Sequence, residues 1–319
     1  MKVIEHLEQR EKPISFEIIP PLRGNSLEKL EKVIQTLAKY NPPFIDVTSH
    51  SAKEEFLYEE DGIRRILRKK RPGTLGICAI IKHKYNIDSV PHILCHGFTR
   101  EETEDILIEL NYIGINNVLA LRGDKTGFNK PTPRGKTKNQ YASDLIKQIQ
   151  DMNQGKLINQ DSKPTDFCIG VASYPEKHFE APNLKRDIEY LKQKIDAGAN
   201  YIVTQMFFNN KKYFRFLDEC KKQNITVPII PGLKIITKKS HLTFLPKTFH
   251  CEIPYELSTQ IEEATTKQDI QKIGINWALN QTKELFEQGS PALHFYVMGS
   301  STTIEQFMQQ HQSLKKRKN

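Results

Sequence analysis

The first candidate for chemistry is a carboxylate set in an apolar strand, Ile14-Ser15-Phe16-Glu17-Ile18-Ile19-Pro20. Strand alternation puts Ser15, Glu17 and Ile19 on one face and Phe16 and Ile18 on the other. The apolar pair suits a layer of helices, which turns Glu17 toward the inside of a sheet. A desolvated carboxylate has its pKa raised toward neutrality, as a general acid requires. The same residue could instead close a buried ion pair with a lysine or arginine from a neighbouring strand. A second carboxylate ends the run Asn117–Asp124, where Val118, Leu119, Ala120 and Leu121 read as a strand buried on both faces. Arg122-Gly123-Asp124 then stops it with a cation, a flexible backbone and an acid. Ligands of parallel α/β proteins bind just past such strand ends, and a helix cap by Asp124 accounts for the pattern equally well.

Other polar side chains fall at comparable places. In Phe44–Ser49, Asp46 and Thr48 share one face, and Thr48 could offer a hydroxyl to a ligand or be an ordinary β-branched strand residue. Pro91-His92-Ile93-Leu94-Cys95-His96 brings His92 to another strand; such a histidine is more often structural, and no second group beside it marks a metal site. Tyr174 and His178 follow a strand ending at Ser173 and could stack on and hydrogen-bond a flat cofactor or merely shape a turn. Gln205 lies among apolar neighbours in Tyr201–Phe208, where its amide must find both donor and acceptor partners. A heterocyclic ligand or the local backbone could supply them.

Positioning these groups together requires a closed arrangement of strands. Strand-like runs occur at Ile14–Pro20, Phe44–Ser49, Val90–Cys95, Asn117–Arg122, Phe167–Ser173, Tyr201–Met206, Val227–Pro231 and Leu293–Val297. Amphipathic runs such as Ser26–Lys39, Arg100–Ile113, Ala142–Met152, Asn183–Ala197 and Lys211–Gln223 separate them. This alternation predicts a single α/β domain, a (β/α)8 TIM barrel over residues 1–312 with a basic tail at 313–319. Thr74–Ile81 could pass for a strand, but Pro72-Gly73 before it and Lys82–Tyr85 after it favour a helix. Residues 125–140, rich in Gly, Pro and Lys, read as a mobile loop over the carboxyl face. Two helices, Ser258–Lys267 and Gln268–Gln288, are expected before the last strand.

The bulk properties narrow the class. The chain has 319 residues, 38% of them hydrophobic and 27% charged, as in a soluble globular protein. The net charge of +9 is spread over nearly every helix, with a dense run only at Lys315–Lys318, so it favours anionic small molecules as readily as nucleic acid. The five cysteines are odd in number and scattered, which points to reduced thiols and away from structural zinc. The charged amino terminus lacks a signal-peptide core and no run is long enough for a bilayer, so a cytoplasmic protein without membrane contact is expected. No dinucleotide fingerprint, P-loop, HExxH or nucleophile elbow occurs.

Taken in order, several segments are similar to the bacterial methylenetetrahydrofolate reductases. They are Ser15–Pro21, Asp46–Thr48, Pro91–Cys95, Ala120–Asp124, Tyr141–Leu145, Tyr174–His178, Asp196–Phe208, Ile229–Leu233 and His294–Tyr296. The resemblance covers nearly the whole chain and is to the short form, without a regulatory domain. It implies noncovalent FAD in the barrel mouth, with NADH or NADPH reducing the flavin and leaving before folate enters the same site. The reaction implied is reduction of 5,10-methylenetetrahydrofolate to 5-methyltetrahydrofolate, which feeds methionine synthesis, and the family suggests an oligomer of barrels. Glu17 corresponds to the acid that protonates the folate, and Asp124 to a carboxylate near both flavin and folate. Gln205 corresponds to the residue bonding the pterin, and His241 aligns with a family glutamine on the substrate. Thr48, His92, Arg122, Gly123, Asp124, Tyr141, Ala142, Tyr174, His178, Ala181, Asp187 and Lys194 fall where the family contacts FAD. The chain departs from the family at Ser49-His50-Ser51, where an aromatic-Gly-Ala turn is common. It departs again at Tyr190 and Gln193, where some relatives have Asn and Arg, and at Ser300, where some have a substrate-binding arginine.

Two other readings compete. A proline dehydrogenase-like flavin barrel would share the cofactor without the folate, and a basic nucleic-acid-binding protein would be colourless and bind in a salt-sensitive way. Neither the choice between NADH and NADPH nor the binding of the folate tail is legible in the sequence.

Overall fold

The structure is a computed structural model, and it describes residues 1–123, 132–298 and 300–316. The barrel strands are β1 (Ile14–Ile18), β2 (Phe44–Val47), β5 (Asp88–Leu94), β6 (Asn117–Leu121), β7 (Cys168–Ser173), β8 (Tyr201–Thr204), β9 (Ile229–Ile230), β10 (Gly232–Leu233) and β11 (Leu293–Met298). All pair in parallel, in the order β10-β11-β1-β2-β5-β6-β7-β8-β9. Pro231, which has no N–H to donate, separates β9 from β10. These two are halves of one strand: β9 bonds β8 and β10 bonds β11, closing the ring. The barrel is therefore the eight-stranded TIM barrel expected, and each of the eight anticipated strand positions is occupied.

Between β2 and β5 the chain makes an antiparallel hairpin, β3 (Ala52–Glu59) and β4 (Gly62–Lys69), that the sequence reading missed. It forms a sheet of its own, stitched across by Arg64–Glu59, Arg65–Glu54 and Arg68–Glu55 ion pairs. A turn signal was present, Glu60-Asp61 before a glycine with φ +138°, between two runs that each hold β-branched or aromatic residues without clean alternation. The helix α3 (Thr74–Tyr85) that follows confirms the helical reading of that stretch.

Helices α2 (Glu28–Ala38), α4 (Arg100–Tyr112), α5 (Ala142–Asn153), α6 (Leu184–Asp196) and α7 (Asn210–Lys222) complete the outer layer with α3. Phe16, Ile18, Ile45, Val47, Ile93, Val118, Ile169, Val171 and Ile202 point outward into one cluster with Leu30, Ile34, Ile77, Leu107, Leu145, Ile188 and Phe216 from those helices. Outward apolar alternation on β1 leaves Glu17 inside, as expected. Before β11 stand three helices rather than two: α8 (His241–Phe249), α9 (Tyr255–Glu263) and α10 (Lys267–Glu287). Pro246 sits inside α8, and proline is a reason not to expect a helix there. The carboxyl-terminal α11 runs Thr302–Lys316. Among the described residues no helix is long and apolar enough to cross a membrane, and all five cysteines are buried and unpaired.

A short helix α1 (Val3–Gln9) closes the amino end of the barrel. Val3 packs against Phe44, Val90, Leu119, Cys168, Tyr201 and Ile230 inside the ring. Asn117 fixes the plug from the first position of β6: its Oδ1 accepts from Val3 N at 2.9 Å and its Nδ2 donates to Met1 O at 2.9 Å. Asn117 is 2% exposed, so removing its amide strands the buried Val3 N–H and the part-buried Met1 carbonyl. Asn117→Ala should lower stability by about 2 kcal/mol, read as a shifted urea midpoint with unchanged slope.

Candidate active site

With the amino end plugged, the open end of the barrel is the carboxyl mouth. β1 and β2 set Glu17 directly opposite Asp46, because these two residues are register partners. His92 on β5 reaches across, its Nε2 lying 3.4 Å from Glu17 Oε2 and 3.6 Å from Asp46 Oδ2. Glu17 retains 14% exposure toward the mouth, whereas Asp46 has none. Burial drives the Glu17 carboxyl up to about 7; His92 and Lys234 oppose that rise and Asp46 reinforces it. Glu17 is thus poised to hold and release a proton near neutrality. Among the described residues it has no lysine or arginine within ion-pair distance, so the buried salt bridge considered as its alternative role is not formed; its contact is the His92 ring.

Lys234, one residue past β10, is pulled down to about 8 by burial, against the attraction of Glu17, and donates to Tyr296 O at 2.6 Å. Tyr296 in turn donates to Thr204 O at 2.6 Å, joining β11 to β8. Beneath this layer Ser15 Oγ lies 2.8 Å from His294 Nδ1, and burial holds the His294 ring down to about 3, with His92 adding to the effect.

A second cluster lies past β6 and β7. Arg122 pairs with Glu180 at 2.5 Å, and Gly123 turns the chain with φ +83°, a conformation that favours glycine. Lys194 on α6 donates to Ala172 O at 2.7 Å and is drawn down to about 8 by burial; Asp187 opposes that and Arg122 adds to it. Burial, Arg122 and Lys194 also keep His178 below its usual range, with Asp187 and Glu180 opposing. Asp187 anchors the His178 backbone N–H at 2.7 Å, and Tyr174 meets the His178 ring edge-on at 4.7 Å between centroids. Arg122 and Lys194 make the local potential positive, and Glu180 and Asp187 offset it. Tyr174 and Glu17 both act on the buried Tyr296 hydroxyl, which links this cluster to Glu17.

A family model described as methylenetetrahydrofolate reductase matches residues 2–312. The chain belongs to this family. The 5,10-methylenetetrahydrofolate reductase of Buchnera aphidicola subsp. Baizongia pistaciae is 33% identical, covering 90% of this chain and 87% of its own. That of Escherichia coli K12 is 30% identical over 89% of this chain and 86% of its own. A solved structure of an uncharacterized protein from Clostridium thermocellum that binds two copies of 5-methyl-5,6,7,8-tetrahydrofolic acid aligns with a TM-score of 0.61 at 16% identity, covering 98% of each chain. At that identity the likeness speaks for the fold alone.

For a methylenetetrahydrofolate reductase family member, the remaining site candidates are distributed as follows. Thr48 lies just past β2, where its N–H donates to Ile18 O at 3.1 Å and its Oγ1 lies 3.3 Å from His50 Nε2. Tyr141 caps α5 and is 59% exposed, Ala142 opens that helix, and Ala181 is buried with its carbonyl accepting from Lys177. Gln205 accepts from Met206 N at 2.9 Å through Oε1, so the backbone takes its acceptor while Nε2 has no partner among the described residues. His241 opens α8, accepts from Thr237 N, and is pushed down to about 4 by burial and by Lys234 and Lys238. Ser300 is exposed past β11. Asp124 and the first half of the 125–140 loop lie outside the described residues. The second half is tied down, with Arg100 N donating to Thr137 O at 2.8 Å and Asn139 to Gln148 at 2.7 Å. Sequence reading gave no role to Lys234, although a lysine directly after the Ile229–Leu233 strand was a visible signal.

Proposed function

We propose that this protein reduces 5,10-methylenetetrahydrofolate to 5-methyltetrahydrofolate, using NADH or NADPH and a noncovalent FAD, with Glu17 as the general acid, and so feeds methionine synthesis. The observation that carries the reading is Glu17 itself: a carboxyl held near neutrality, at the open end of the barrel, between His92 and Lys234. Family membership supports the reaction. The residues of the mouth suit FAD. Arg122 and Lys194 are two cations fit for a diphosphate, the neutral His178 ring can donate or accept beside them, Gly123 lets backbone approach closely, and the exposed Tyr141 and half-buried Tyr174 offer aromatic faces.

When bound, FAD supplies the hydride route from nicotinamide to folate. Protein residues do the rest. Glu17 gives its proton to a folate nitrogen, so that the five-membered ring opens to an electrophilic iminium. Gln205, with its oxygen committed to Met206 N, directs its amide N–H groups at acceptors on the pterin edge. Asp124 is proposed to assist at the flavin and folate, and His241 with Lys234 to hold the folate beyond the pterin. Thr48, His92, Ala142, Ala181 and Asp187 complete the cofactor surroundings. Nucleotide and folate use one site in turn, which makes the kinetics ping-pong.

The test is spectroscopic. The purified protein should be yellow, bleach anaerobically with NADH or NADPH, and regain its colour on adding methylenetetrahydrofolate but not on adding the oxidised product of proline. A colourless protein that binds no added FAD, or a reduced flavin that the folate fails to reoxidise, would overturn the reading. Comparing the two nucleotides in the same experiment also settles which one is the donor.

A further inference from the structure

Asp46 is a carboxylic acid with no place in the chemistry so far. It is 0% exposed, and neither of its oxygens has a hydrogen-bond partner among the described residues. His92 Nε2, 3.6 Å away, is likewise buried and unpartnered. We propose that Asp46 is a positioning residue: as a neutral acid it donates its O–H to His92 Nε2, fixes His92 as the tautomer protonated on Nδ1, and so stops that ring from taking the proton of Glu17. This rests on the reading of Glu17 as the acid.

One hydrogen bond pairs two of the three orphaned atoms, Asp46 Oδ2 and His92 Nε2. At 3.6 Å the pair is slightly too long for one, and a small tilt of the imidazole closes the gap. Glu17 Oε2 competes for the same nitrogen at 3.4 Å. The two carboxyls differ in their alternatives. Glu17 keeps 14% exposure at the mouth, so its proton has another outlet there. Asp46 has none.

The groups that face Asp46 come from several elements: Glu17 on β1, His92 on β5, Tyr201 on β8, Tyr296 on β11 and Cys78 on α3. His294 stands behind His92. Among the described residues no lysine or arginine pairs with Asp46, so an ionised carboxylate there would be an uncompensated buried charge. Burial accordingly holds the Asp46 carboxyl well above its usual range and the His92 ring below its own, which leaves both neutral. Were Nε2 free, it would be a base 3.4 Å from the Glu17 carboxyl and would compete with the folate for its proton.

Two substitutions separate the donor role from charge and shape. Asp46→Asn keeps an N–H donor to Nε2 and no charge; Asp46→Leu keeps volume without a donor. Nitrogen NMR of histidine-labelled protein should show His92 protonated on Nδ1 in the wild type and in D46N, and a mixture of tautomers in D46L. Infrared spectra should show a carboxylic-acid carbonyl band that D46N removes. In folate-dependent reoxidation, the alkaline limb should stay in place in D46N, whereas in D46L it should move to lower pH, slowing the step about tenfold at neutral pH. The proposal is overturned if D46N moves the limb downward as D46L does, because Asp46 would then act as a charge. It is equally overturned if D46L leaves the His92 tautomer unchanged. Should Glu17→Gln leave folate reduction intact, the acid reading fails, while the NMR and infrared arms still decide whether Asp46 holds His92.

Discussion

Glu17→Gln should stop folate reduction while leaving the first half-reaction untouched: NADH or NADPH bleaches the flavin at the wild-type rate, and methylenetetrahydrofolate reoxidises it about 10²–10⁴-fold more slowly. Glutamine keeps the shape and a hydrogen-bonding head but has no proton to give, so the split isolates the acid role from packing. Reoxidation at the wild-type rate would show that another group protonates the folate. The pH dependence follows from the same carboxyl. Glu17 acts only when protonated, so the folate half-reaction of the wild type should fall as pH rises through about 7, and the residual rate of the variant should be flat there. Stability should move in the same sense as activity. The folded-state pKa is raised, from 4.5 to about 7, so the contribution of Glu17 is fully favourable below about 4.5 and is lost as pH rises through about 7. Above that pH the ionised, buried carboxylate costs about 3 kcal/mol. E17Q should therefore unfold at higher urea than the wild type in mildly alkaline buffer and match it in acid.

Glu17 was legible because strand alternation is a local rule. Once Phe16 and Ile18 are assigned to the helix layer, as their packing with Leu30 and Ile34 bears out, the inward direction of Glu17 is forced. The same arithmetic put Asp46 inside, yet gave no reason to single it out. Its importance comes from standing opposite Glu17 and within reach of one nitrogen of His92, and pairing between three strands is not written in any one of them. Lys234 was missed for a related reason: it acquires its partners only when β10 closes the ring beside β11. Elements were legible where periodicity ran long and failed where it was short or contradictory. Helix α8 contains a proline, α1 is a single short plug, and the β3–β4 hairpin carries charges on both faces, which hides its period. The carboxyl-end cluster of Arg122, His178 and Lys194 was reached through the resemblance rather than through chemistry, since α6 offers no local sign that Lys194 is buried.

The ring closes at Gly232, and a methyl group there should damage the protein severely. A Cβ on Gly232 would sit 2.1 Å from Thr204 O and 2.7 Å from the Tyr296 ring. Neither neighbour can yield cheaply. Thr204 is wholly buried in β8, its Oγ1 accepts from Gly232 N at 2.9 Å, and its carbonyl accepts the Tyr296 hydroxyl at 2.6 Å. Pro231 immediately before has already removed one backbone donor from this seam, leaving few bonds to hold β9 and β10 in line. Gly232→Ala must therefore part β8 from β10 or swing Tyr296 out of its hydrogen bond. Overpacking and the stranded polar groups together should cost about 3–5 kcal/mol, measured as a lower urea midpoint. The displacement should also reach the site, because Lys234 lies two residues further on and its ammonium is held by Tyr296 O. In the variant that does fold, Lys234 should no longer oppose the rise in the Glu17 pKa, so the alkaline limb of folate reduction should move to higher pH. A variant as stable as the wild type with an unchanged limb would show that the seam is slack and that Lys234 does not depend on it.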